Sequence, residues 1–145
     1  MEFSAADNIA ILGHEDAVTI LGTPETGTSA AIDASDFERV LLIVNPGAIS
    51  ASTAVEAKIQ GSTATAGTYA DISGASVSWT DSEDTEAKLV DARTHGAGHV
   101  KVVITATGGT STVGLTWVLI GYKPQYQDSV QALSTGVALT TFNVA

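Results

Sequence analysis

No cysteine occurs among the 145 residues, so no disulfide staples the fold, no thiol serves as a nucleophile, and a zinc site would be limited to histidine and carboxylates. Folding rests on packing. Basic residues are scarce: six Lys and Arg, scattered from Arg39 to Lys123, face sixteen Asp and Glu, for a net charge of −10. Phosphate binding needs clustered cations, and with no such cluster no nucleic-acid partner is expected. Long apolar runs are also missing. The longest, residues 40–44 and 117–120, fall far short of the roughly 20 residues of a membrane-spanning helix. No basic segment followed by an apolar one opens the chain as a secretion signal would. No membrane partner is expected, and synthesis is placed in the cytoplasm.

What the chain does have is the vocabulary of strands and turns. Fourteen glycines, many Ser and Thr, and short runs of Val, Ile, Thr and Trp broken by Gly, Asn, Asp and Pro point to an all-β fold. "FERVLLIVNPG" is apolar on both faces and reads as a central strand stopped at Asn45-Pro46-Gly47. "TAVEAKIQGS" alternates, with Val55, Ala57 and Ile59 on one face and Glu56, Lys58 and Gln60 on the other, which predicts a half-buried strand. "TYADISGASVSWT" places apolar residues around a Ser73-Gly74 turn, and "EAKLVDAR" fits a short strand or one helical turn. "GHVKVVITATGG" and "TVGLTWVLIGYKP" read as two long antiparallel strands of a hairpin closed by the glycine loop at residues 108–111. Six to eight such strands make a β-sandwich of jelly-roll type. Its core is expected over residues 30–124, preceded by an acidic arm or edge strands at 1–29 and followed by an extended arm at 125–145. Eight acids precede the first basic residue, Arg39, five of them within residues 1–29, so a partner for this N-terminal quarter would be neutral or basic.

Chemistry-bearing clusters are few. "DARTHGAGH" spaces Asp91, His95 and His99 as metal ligands could be, but Gly96 and Gly98 deny the segment the helix that would fix them; it reads as a loop leading into a strand. Asp81, Glu83, Asp84 and Glu86 could offer oxygens to calcium, yet they lack EF-hand spacing and read as a solvated acidic turn. There is no Gly-x-Ser-x-Gly elbow and no phosphate-cradling GxxxxGK[ST] loop. Trp79 and Trp117 could stack on a sugar, but two tryptophans in a sandwich read first as core. No enzyme, cofactor or metal is expected.

The C-terminal stretch, residues 125–145, is unlike the rest. It carries one charged side chain, Asp128, and mixes Val130, Leu133, Val137, Leu139, Phe142 and Val144 with Ser and Thr at no sustained helical spacing. Stretched out, it spans about 60 to 70 Å. Such a segment orders by adding backbone hydrogen bonds to a neighbour's open sheet edge, which makes those six apolar residues the expected partner contacts. "NIAILGHEDAVTILGT" has the same mixed character at the other end.

The succession "IDASDFERVLLIVNPGAIS", "VEAKIQGSTATAGTYADISGAS", "AKLVDARTHGAGHVKVVITATGG" and "VGLTWVLIGYKP", covering residues 31–124, resembles small virion proteins of tailed bacteriophages, of the structural, head-decoration or cement type. The resemblance implies a non-enzymatic protein bound in many copies to the capsid surface of a virion, with the major capsid protein as partner. Small oligomers with closed symmetry, a trimer foremost, suit a shell with local threefold points. The same residues also allow a tail, neck or fibre component, or a carbohydrate-binding β-sandwich.

Overall fold

The computed structural model describes residues 9–15, 19–21, 25–83, 86–94, 96–108 and 113–124, and within them ten strands form two antiparallel sheets. One sheet contains β1 (Ile9–His14), β2 (Thr19–Leu21), β5 (Phe37–Pro46), β8 (Lys88–Arg93) and β10 (Val113–Pro124), in the order β1-β10-β5-β8 with β2 continuing the β1 edge along β10. The other contains β3 (Glu25–Thr28), β4 (Ile32–Asp33), β6 (Thr53–Ser62), β7 (Ala70–Trp79) and β9 (His99–Gly108), in the order β3-β9-β6-β7 with β4 beside β9. Taking β1 with β2, and β3 with β4, as single interrupted strands, the chain crosses between sheets at every connection except the β6–β7 hairpin. This is the double Greek key of a jelly roll.

The core lies between the sheets and follows period-two alternation. From one sheet come Val40, Leu42 and Val44 of β5 with Leu115 and Leu119 of β10; from the other come Val55, Ala57 and Ile59 of β6 with Val100, Val102 and Ile104 of β9, all buried. Each fully covered large side chain contributes about 1.5 to 3 kcal/mol. Trp79 is wholly buried and donates its indole N–H to the Glu86 carbonyl at 2.7 Å. The residues before Ala30 supply edge strands to both sheets, with Ala10 buried.

Two expectations are corrected. The glycine loop after β9 does not close a hairpin: β9 pairs with β6, β3 and β4, whereas β10 pairs with β5, β1 and β2 in the opposite sheet. A short loop specifies only that two strand ends are near each other, and here the two strands it joins belong to opposite sheets. Nor do Ser73 and Gly74 form a turn. Gly74 has φ of 75° inside the continuous strand β7, where the pairing with β6 slips between Lys58 and Gln60. The glycine accommodates a bulge, its other common role in a strand. The segment left open between strand and helical turn is strand β8, in unbroken register with β5.

Candidate functional site

The outer faces of the two sheets differ in chemistry. Residues of β6 and β7 that point away from the core include Glu56, Lys58, Gln60, Asp71, Ser76 and Ser78, among which Asp71 accepts from Lys58 at 2.8 Å and from Gln60 at 2.7 Å. On the neighbouring strands Thr26 and Thr105 share a hydrogen bond of 3.0 Å. That face is an ordinary solvated surface.

The β1-β10-β5-β8 sheet presents the opposite. Because β5 alternates Leu42 and Val44 inward with Leu41 and Ile43 outward, its second apolar set faces away from the core. Register then builds two rows across the sheet. Ile11, Ile120 and Leu41 are cross-strand partners in one; Val118, Ile43 and Leu89 are partners in the next. All six are partly or largely exposed, and Leu89 is 62% exposed. β-Branched pairs at this spacing pack on each other, giving a flat apolar surface with no layer of this domain above it among the described residues.

Polar groups frame the patch. Beyond Leu41, the row of Tyr122, Arg39 and Arg93 closes one side. Arg39 donates to both oxygens of Asp91, at 3.1 and 2.7 Å, and to the Tyr122 hydroxyl at 2.6 Å; Tyr122 donates in turn to Asp91 at 2.5 Å. The forked geometry is the strong form of an Arg–carboxylate pair. It holds the Asp91 carboxyl below its ordinary range, chiefly through the Arg39 hydrogen bonds, while burial and the bond to Asp91 raise the Tyr122 phenol. On the other side, His14, Asn45 and Thr116 join Ile43 and Val118 around a shallow hollow of about 250 Å³. A flat apolar field with an anchoring hollow and a rigid polar rim is how protein interfaces are built.

The residues singled out as candidate ligands are placed apart. Asp91 faces outward on β8, bound to Arg39; His99 begins β9 in the other sheet, its Nε2 within 2.9 Å of the Thr65 hydroxyl; His95 lies outside the described residues. In the acidic turn, Asp81 accepts from the Ser52 N–H at 2.8 Å. Glu83 accepts from Lys88 at 2.7 Å and from the Thr80 N–H at 2.8 Å, and Lys88 with Thr80 holds its carboxyl at about 2. Asp84 lies outside the described residues. Among the described residues no three metal-ligating side chains converge. Of the tryptophans, Trp79 is core and Trp117 packs against it, donating to Glu15 at 3.1 Å. Val130, Leu133, Val137, Leu139, Phe142 and Val144 all lie outside the described residues.

The outward set of Leu41, Ile43, Val118, Ile120 and Leu89 was not singled out in the sequence, although its signal is there. A strand apolar on both faces, placed in a two-layer sandwich, must leave one of those faces outside.

No family model matches the chain, and no curated protein matches it. Among solved structures, it is similar to the infectious bursal disease virus VP2 subviral particle (TM-score 0.49, 15% identity, 77% of this chain and 30% of that one). It is likewise similar to the N-terminal cellulose-binding domain of Cellulomonas fimi β-1,4-glucanase C (TM-score 0.49, 11% identity, 84% and 95%). A Bacillus endospore appendage pilus protein aligns at a TM-score of 0.41 and 10% identity, over 84% and 96%. The chain spans about a third of the length of the bursal disease virus chains it matches. Likenesses this distant carry nothing about function.

Proposed function

We propose that this chain is a non-enzymatic structural protein of a virion, a capsid decoration or cement protein that seats the outer face of its β1-β10-β5-β8 sheet on the shell. The observation that carries the reading is the two-row apolar face of Ile11, Ile120, Leu41, Val118, Ile43 and Leu89, set against a polar face on the other sheet. The resemblance of residues 31–124 to small phage virion proteins supports a capsid as the surface it meets. Covering those side chains contributes about 1.5 to 3 kcal/mol for each one fully buried. Part of that is lost to ordering and immobilisation on binding. The surplus is modest for one copy and is multiplied over a lattice. Arg39, Asp91 and Tyr122, already locked to one another, meet a polar rim without further ordering cost.

The test is the double variant Leu41→Lys/Ile43→Lys, added to shells stripped of decoration. Both positions face outward, so the circular dichroism spectrum is expected to be unchanged and occupancy on the shells to fall at least about tenfold, as for loss of a central interface cluster. Unchanged occupancy of the folded variant overturns the assignment of this face. A mass-spectrometric inventory of purified particles separates the roles: a copy number comparable to the major capsid protein is expected, and a few copies per particle would place the protein in a tail, neck or fibre.

A further inference from the structure

We infer that the open edge of β8 receives the uncharged C-terminal segment of a neighbouring copy, residues 130–145, as an added strand. This rests on the decoration reading only in taking the protein to work as an assembly of copies, and it uses a different surface, the strand edge beside the apolar face.

The described edge strands are not equivalent. β1 is interrupted by a register shift between Ile11 and Gly13, and β2, β3 and β4 have three, four and two residues. β7 is bulged at Gly74 and carries Asp71, Ser76 and Ser78 outward. Short length, bulges and polar side chains are the usual protections of a sheet edge. β8 is neither bulged nor cut to two to four residues, although two of its three outward side chains, Asp91 and Arg93, are charged. Its six residues pair with β5 from Arg39↔Arg93 to Val44↔Lys88 without a shift, it contains neither Gly nor Pro, and the first of its outward side chains, Leu89, is 62% exposed. A regular edge with an apolar side chain on it is a template for strand addition.

The occupant is chosen by chemistry and reach. Residues 129–145 contain no charged side chain and no proline, so every residue can join a ladder and no charge is desolvated against Lys88, Asp91 or Arg93. Val137 and Leu139 alternate with Ala138 and Thr140, the period a strand needs to lay two apolar side chains beside Leu89. The segment follows Pro124, which pairs with Phe37 at the sheet end where β8 also finishes. Within one molecule the direct route to β8 crosses occupied ground. Thr94 gives its N–H to the Glu38 carbonyl at 3.0 Å and its hydroxyl to the Phe37 carbonyl at 3.1 Å, and Ala34 donates to Gly98 at 2.9 Å. A reach of about 70 Å is ample for a second copy, and the same head-to-tail contact repeated closes a small ring.

The absence of cysteine makes the test clean. In the full chain carrying Leu89→Cys and Leu139→Cys, mild oxidation is expected to give reducible covalent oligomers larger than a dimer, whereas either single variant stops at a dimer. An intramolecular disulfide, or no disulfide, overturns the inference. As a measurement that does not depend on the cysteines folding well, amide exchange across β8 is compared between the full chain and its Leu139→Pro variant. Exchange at residues 89–93 is expected to rise at least about tenfold in the variant, and equal exchange overturns the inference. Shell occupancy is read separately: oligomers that crosslink as expected yet leave shells bare sink the decoration reading alone, and monomers that decorate shells sink this inference alone.

Discussion

Two carboxylates tie β8 to its surroundings: Glu83 holds Lys88 at its start, and Asp91, within the strand, holds Arg39 on the adjacent strand. With Asp33, held down mainly by Ser35, and Asp71, held down mainly by Lys58, they have carboxyl groups more acidic in the folded chain than ordinary ones. A folded pKa below the unfolded one means stability that is complete above the unfolded value and is lost as pH falls through the folded one. For Glu83 that window runs from 4.5 down to about 2. The melting temperature of Glu83→Gln is therefore expected to lie below that of the parent at pH 7 and to meet it near pH 2, followed by circular dichroism. Comparing the two proteins at each pH cancels the relief of self-repulsion that acid brings to a chain of charge −10. Equal melting at pH 7 would show that the Glu83 contacts stabilise nothing. The acidic turn was legible as a cluster of charges, but not that Glu83 is bound to Lys88, five residues on and across a turn.

At the scale of elements, β10 shows how tightly strand identity is specified. Gly121 faces inward opposite Val40, and a Cβ there would lie 2.7 Å from the Phe37 ring and 2.9 Å from Leu12. Phe37 is fully buried and has no room to retreat. Gly121→Ala is expected to cost about 1 to 3 kcal/mol, the range for overpacking a filled core, read as a lower urea midpoint with an unchanged slope. A loss under about 0.5 kcal/mol would mean that the strand shifts freely. Strand existence was readable where the pattern was strong: the alternation of β6 and the apolar run of β5 appear in the fold as expected, whereas the turn expected at Ser73-Gly74 lies inside β7. Pairing was not. The loop after β9 has hairpin length, yet β9 and β10 each find better-matched neighbours, because their inward faces belong to opposite layers of one core.

At the scale of the molecule, the carboxylates that sequence spacing grouped are distributed among separate tasks. Asp81 caps a backbone N–H, Glu83 and Asp91 hold cations, and His99 meets Thr65 in the other sheet. A stabilising metal would add binding energy to the folded state only. Treatment with EDTA is accordingly expected to leave the melting temperature unchanged; a drop of several degrees would reveal a site that these contacts do not describe. The asymmetry of the two outer faces is also a property of the whole. The contrast between one polar and one apolar outer face within a single sandwich is what supports the proposed interface on the apolar one.

The sequence by itself determined that this chain is all-β, that β5 is central and apolar on both sides, and that β6 is half-buried. These follow from local alternation, which any extended backbone converts into two faces. Only the tertiary structure decided which sheet each strand joined, which apolar set of β5 was left outside, and that Asp91 would stand beside Arg39 and Tyr122 and not beside His99. Those outcomes depend on residues 52 and 31 positions away from Asp91 in the chain. They were settled by the common demand of ten strands for a single buried layer, a demand no local pattern records.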